Sequence, residues 1–234
     1  MRNIRIRCAF ALVAGLAGCW VDAPTAVSFD LVAHAGQDQV VECTGHHGTP
    51  VRLDGSASDA DGHPMTLEWR GPFGTVTGLN PTVTLPLGRH EVTLIADAGS
   101  GTTSTDVVMI EVVDTRPPEI HSATATPPSL WPPNHKMTSV PVTVDVTDIC
   151  NAAPTCRIIS VASNEPANAQ GDGNTDPDWR ITGALTVELR AERAGPGSGR
   201  IYTITVRCTD ASGNAAAPRQ VLVTVPHDQG KPST

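Results

Sequence analysis

Asp114-Thr115-Arg116-Pro117-Pro118 cuts the chain into two stretches, each of roughly a hundred residues, and each reads as one β-sandwich. Pro117 and Pro118 carry no backbone N–H, so no strand ladder can run through them. Two prolines in succession also hold the chain extended, which makes this a short, stiff spacer. Before it, strand-like runs are expected at residues 40–42, 50–53, 65–69, 81–85, 90–96 and 106–113. After it they are expected at 119–125, 138–147, 156–163, 179–182, 185–192, 200–209 and 219–225. Alternation sets the faces: Met65, Leu67 and Trp69; Val92, Leu94 and Ala96; Val108, Ile110 and Val112; Val140, Val142, Val144 and Val146; Leu185, Val187 and Leu189; Tyr202, Ile204 and Val206. A period of two with polar residues between means sheets with one buried face. The fold class is all-β, with two tandem immunoglobulin-like β-sandwiches; seven strands suit the second, and Tyr202 is placed as its corner tyrosine.

The first eighteen residues stand apart. Arg2, Arg5 and Arg7 precede an apolar run from Cys8 to Leu16 that is too short for a permanent membrane span. Leu16-Ala17-Gly18-Cys19 then resembles the bacterial lipobox, which implies cleavage before Cys19 and lipid attached to that cysteine. Buried acyl chains contribute ~0.8 kcal/mol per CH₂, so a multiply acylated Cys19 anchors firmly. Residues 20–28 form a tether reaching about 30 Å at most. The expected organisation is therefore a signal peptide (1–18), a tether (19–28), a first sandwich (29–114), the diproline linker (115–118), a second sandwich (119–226) and a tail (227–234). A bacterial envelope location follows, at the outer membrane or cell surface in preference to the inner membrane.

The whole chain has a net charge of −8. Without Arg2, Arg5 and Arg7, 13 basic residues face 24 acidic ones, a net of −11. An acidic chain without a basic patch is a poor nucleic-acid binder. The expected partners are the membrane, through the lipid, and a protein or glycan of the envelope.

Leu53-Asp54-Gly55-Ser56-Ala57-Ser58-Asp59-Ala60-Asp61-Gly62, followed by Leu67-Glu68-Trp69, resembles the PKD repeat, an immunoglobulin-like family. Leu87-Gly88-Arg89-His90-Glu91-Val92-Thr93-Leu94 resembles the family's later Gly-x-Tyr-x-Val-x-Leu strand, with His90 where tyrosine is usual. The family's Trp-Asp-Phe-Gly-Asp-Gly is here Trp69-Arg70-Gly71-Pro72-Phe73-Gly74. In the second half, Ser129-Leu130-Trp131-Pro132-Pro133-Asn134-His135-Lys136-Met137, Ser163-Asn164-Glu165-Pro166 and the run Gly171 to Trp179 resemble a module found at the ends of large bacterial secreted proteins. That second resemblance implies architecture and no particular ligand.

Asp59, Asp61 and Asp97 are candidate calcium ligands, since hard oxygens from neighbouring loops suit that ion; the alternative is a plain Asp-Gly turn. Asp172, Asn174 and Asp176 superficially match an EF-hand loop, but Pro177 takes the glycine position and Gly183 the glutamate position. A looser calcium loop is what remains open there. No cofactor is required. His46-His47 beside Cys43 lacks the ligand set that fixes zinc. Trp131 and Trp179 are the residues that could stack on a sugar, against the alternative that both cover the core.

No Gly-x-Ser-x-Gly, His-Glu-x-x-His or phosphate-loop motif occurs, and the expectation is a non-enzyme. An interaction, adhesion or scaffold lipoprotein is the first reading. A carbohydrate-binding lipoprotein is the alternative, and a small hydrolase comes third.

Cys43, Cys150, Cys156 and Cys208 are disulfide candidates in an exported chain. Strand order puts all four near the diproline spacer. Sequence alone leaves three pairings open. Cys156–Cys208 across neighbouring strands is favoured, which leaves Cys150 facing Cys43; the rival is a free Cys43 and a flexible pair of modules.

Overall fold

A computed structural model describes residues 31–58, 65–99, 101–168, 170–173 and 175–228. Among them there is no helix, and none long and apolar enough to cross a membrane. Sixteen strands form two immunoglobulin-like sandwiches.

The first half contributes β1 (Val32–His34), β2 (Gln39–Glu42), β3 (Thr49–Arg52), β4 (Ser56–Ser58), β5 (Thr66–Gly71), β6 (Gly74–Thr77), β7 (Thr82–Leu85), β8 (Gly88–Asp97) and β9 (Thr103–Val113). One sheet has the order β2-β9-β8-β5-β6, and the pairs β1-β4 and β3-β7 complete the sandwich. The β2–β9 pairing is parallel, with Glu42 opposite Val113. Alternation fills the space between: Leu53, Trp69, Leu85, Val92, Leu94 and Ile110 are fully buried. Trp69 donates its ring N–H to the Gly78 carbonyl at 3.0 Å, which satisfies its polar end inside the core. Gly55 lies flat against the Trp69 ring, where a Cβ would collide with it. His90 contacts the Pro86 carbonyl through Nε2 at 2.8 Å. It thereby makes the side-chain-to-backbone tie that a corner tyrosine makes in this fold.

The second half contributes β10 (Glu119–Ala125), β11 (Met137–Thr147), β12 (Thr155–Ser163), β13 (Trp179–Gly183), β14 (Thr186–Arg190), β15 (Gly199–Thr209) and β16 (Arg219–Pro226). Sheets β10-β11-β14-β13 and β12-β15-β16 pack across a core of Val140, Val187, Leu189, Tyr202, Ile204, Val206, Val223 and Val225. All seven expected strands are present, although β14 stops at Arg190, short of the expected 192. Residues 191–192 instead turn into a buried polar cluster. The short β1, β4 and β6 are strands that the sequence pattern did not announce.

Candidate functional site

The meeting point of the two sandwiches is one constructed region. Cys43 follows β2, Asp114 follows β9, and Cys150 and Asp148 follow β11, so strand ends of both halves converge there. Cys43 and Cys150 are disulfide-bonded with Cα atoms 6.2 Å apart, a covalent link between the halves. Cys150 is 7% exposed and belongs to the first core. Cys156 and Cys208 form the second bond, directly opposite one another on β12 and β15. The favoured pairing is therefore the one present. Hydrogen bonds reinforce the link. Asn214 donates from Nδ2 to the Asp114 carbonyl at 2.9 Å, and Ser212 Oγ reaches Asp114 Oδ2 at 3.5 Å. The Glu42 carboxylate accepts from the Thr115 N–H at 3.0 Å and its hydroxyl at 2.9 Å. The Thr115 N–H holds the Glu42 carboxyl below its usual range. The start of the linker is thus tied to both halves.

Three carboxylates gather at this joint. Ligand oxygens of Asp114, Asp148 and Asp210 all lie within 4.8 Å of one another. Burial pushes the Asp114 carboxyl up, the Arg116 N–H opposes it, and the neighbouring charges of Asp148, Asp210 and Glu42 add to the rise. Such oxygens could hold a cation. Each aspartate also serves the backbone: Asp148 accepts from Cys150 and Asn151, and Asp210 from Asn214. None of the three was among the calcium candidates named from sequence.

Of those candidates, Asp59, Asp61 and Asn174 lie outside the described residues. Asp97 accepts from the Gly99 N–H at 2.7 Å and closes a turn. Asp172 is fully buried while Asp176 is exposed, so the two do not line one open loop. Asp172 faces Arg200 instead, and this uncovers what the second set of motifs builds.

Arg200 is fully buried. Its guanidinium meets Glu165 at 3.3 Å, Asp172 at 3.3 Å, Glu192 at 3.7 Å and Asp178 in a short contact. It also donates to the Pro166 carbonyl and to the Tyr202 hydroxyl. Burial alone would lower the Arg200 pKa, but Tyr202 and Asp178 reverse that and raise it. Burial pushes the Tyr202 phenol up to about 12 despite the guanidinium beside it. That hydroxyl donates to the Arg190 carbonyl at 2.9 Å, tying β15 to β14. Arg190 in turn holds two loops: its guanidinium donates to the Pro177 and His135 carbonyls. Asn164 clamps the start of β15, accepting from the Ile201 N–H and donating to the Gly199 carbonyl. Glu165 and Pro166 from one of these motifs, and Asp172 and Asp178 from the other, thus enclose a buried arginine.

Trp179 is half-buried, packs on the core and meets Tyr202 edge-on at 6.2 Å. Trp131 is 44% exposed, beside the buried Leu130. The two do not share a surface role. The open cleft in the first half, about 590 Å³, is lined by Gly36, Gln37, Asp38, Gln39, Arg52 and Asp54. Its carboxylates are committed to structural donors, Asp38 to the Met109 N–H and Asp54 to Asn80.

No family model matches this chain, and no curated protein matches it. Solved structures do. Fibronectin(III)-like modules of Clostridium thermocellum CbhA are similar at 23% identity over 37% of this chain and 99% of that one, with a TM-score of 0.30. Immunoglobulin domains 1–4 of Sidekick-1 are similar at 11% identity over 85% of this chain and 50% of theirs, at 0.39. The N-terminal Ig1-2 module of the Drosophila receptor tyrosine phosphatase DLAR is similar at 13% identity, over 83% of this chain and 99% of that one, at 0.29. At these TM-scores the likenesses carry no argument; the all-β tandem immunoglobulin-like architecture rests on the strand order of the two halves.

Proposed function

We propose that this protein is a non-enzymatic lipoprotein of the bacterial envelope, held by a lipid on Cys19, whose two sandwiches form one stiff interaction or scaffold arm. The observation that carries the reading is the joint. A flexible pair of beads needs no bond between its halves, whereas here Cys43–Cys150 and the Asp114–Asn214 contacts fix one half on the other. Fixing orientation matters to a surface protein that presents a composite face to a partner, because less is lost in ordering when binding occurs. The PKD-like motif of the first half supports the same reading, as such modules serve as spacers and binding appendages. The arm needs no cofactor. Calcium is the ion its oxygen-rich joint would take.

Labelled palmitate should enter the protein, and Cys19→Ser should abolish both labelling and membrane retention. Unchanged fractionation of the variant would contradict the lipid anchor. A second reading, glycan binding, rests on the exposed Trp131. A glycan array probed with the wild type and Trp131→Ala separates the two: a signal lost in the variant favours the glycan reading, and no signal favours the scaffold.

A further inference from the structure

The Arg200 cluster carries more negative charge than its arginine balances. Glu165, Asp172, Asp178 and Glu192 all contact the one guanidinium. Glu192 and Asp178 are the informative pair. They are 0% and 3% exposed, and each has one carboxylate oxygen, Glu192 Oε1 and Asp178 Oδ1, that is buried without a hydrogen-bond partner. Their remaining oxygens are engaged. Glu192 Oε2 accepts from Thr175 Oγ1 at 2.5 Å and contacts His135 Nδ1 at 3.3 Å, and Asp178 Oδ2 takes the short contact with Arg200 Nη1. Glu192 Oε1 lies 3.7 Å from that same Nη1, so the two carboxylates converge on one nitrogen.

Two orphaned anionic oxygens on neighbouring buried carboxylates are costly twice over, through lost hydration and mutual repulsion. One proton removes both costs: a carboxylic acid on one residue donates to the carboxylate of the other. We infer that Glu192 keeps its proton in the folded protein and donates it to Asp178, so that the cluster contains one carboxylic acid among three carboxylates. The groups facing Glu192 agree with this. From β15 come Arg200 and Tyr202, from the end of β14 Arg190 at 3.9 Å, from one loop His135, and from the other Thr175 and Asp178. Burial raises the Glu192 carboxyl, the contacts with Thr175 and His135 oppose, and the adjacent Asp178 carboxyl raises it further. A metal ion is the weaker occupant. Among the described residues the one set of three acidic or imidazole ligands within mutual reach is at the joint, and Arg200 already brings positive charge here.

The consequence is a pH-sensitive second sandwich. A carboxyl whose folded pKa is raised binds more protons folded than unfolded between the two values, so stability falls as pH rises through that window. It is greatest below the ordinary glutamate value and levels off above the raised one.

The test compares wild type with Glu192→Gln, whose amide can donate to Asp178 without titrating. In denaturant unfolding from pH 5 to 9, the wild-type folding constant should fall by up to about tenfold per pH unit at its steepest. Glu192→Gln should lose one proton of that dependence and match or exceed the wild type at alkaline pH. Equal slopes in the two proteins would overturn the inference. So would a calcium-dependent stabilisation of wild type that Glu192→Gln abolishes, because a metal would then hold the pair. Infrared spectroscopy of the wild type decides independently, whether or not the variant folds. A protonated-carboxyl stretch at pH 7 that shifts on ¹³C labelling of glutamate supports the inference, and its absence overturns it.

Discussion

Replacing Arg200 by methionine keeps the aliphatic stem and deletes the guanidinium. Four acidic side chains that are at most 9% exposed then lose the cation that, among the described residues, contacts all of them. Breaking a buried ion pair by removing one partner costs about 3–5 kcal/mol, because the other charge stays buried. A domain of this size is stable by about 5–15 kcal/mol, so much of the margin disappears. At about 4–8 °C per kcal/mol, the second sandwich should melt at least ~12 °C lower. Calorimetry should show that transition move while the first sandwich melts where it did. Arg200→Lys restores charge without the planar fork and should recover only part of the loss. Acidification should narrow the gap between Arg200→Met and wild type, because protonated carboxyls no longer need a cation. An Arg200→Met protein melting within a few degrees of wild type at pH 7 would refute the idea that the motifs of the second half exist to enclose this arginine.

Two further outcomes concern the first sandwich and the joint. Gly55→Ala places a Cβ against the fully buried Trp69 ring, and should destabilise the first sandwich by about 1–3 kcal/mol in denaturant unfolding; an unchanged midpoint would show that the ring shifts freely. The Asp114 carboxyl is raised by burial and by Asp148, Asp210 and Glu42, so its contribution to stability declines as pH rises from the ordinary aspartate value through the raised one. Asp114→Asn should flatten that part of the pH profile, and a variant whose profile tracks wild type throughout would contradict the assignment.

The strands were readable because alternation is strong wherever a face is buried: Val108, Ile110 and Val112 on β9, and Tyr202, Ile204 and Val206 on β15, are all buried. β1, β4 and β6 escaped notice because three or four residues carry too little pattern. The Arg200 cluster escaped for a different reason. Its acids sit in loops whose composition looks solvated, and Asp172 and Asp176 invite a calcium reading. Yet a signal was present. Arg200 is in phase with Tyr202 and Ile204, so alternation alone turns it inward, and a buried arginine requires carboxylates from elsewhere. The acidic trio at the joint was legible in the same way. Val113-Asp114, Thr147-Asp148 and Thr209-Asp210 each place an aspartate just past a strand end, and the strand order that located the cysteines brings those ends to the same pole. Spacing alone leaves three cysteine pairings open, and it is strand order, which sets Cys156 opposite Cys208 and leaves Cys150 facing Cys43, that favours the one present.

Everything proposed for this protein as a single arm depends on the covalent bond between its halves. Closing a loop of 107 residues stabilises the folded state by about 4–5 kcal/mol in the chain-entropy account, and here it also restricts rotation about the diproline. Peptide mapping of unreduced, alkylated protein by mass spectrometry tests that bond most directly. The expected result is a linked peptide containing Cys43 and Cys150, another containing Cys156 and Cys208, and no alkylated thiol among the four. Alkylated Cys43 and Cys150, with Cys156–Cys208 intact, would contradict it and leave two sandwiches free to swing.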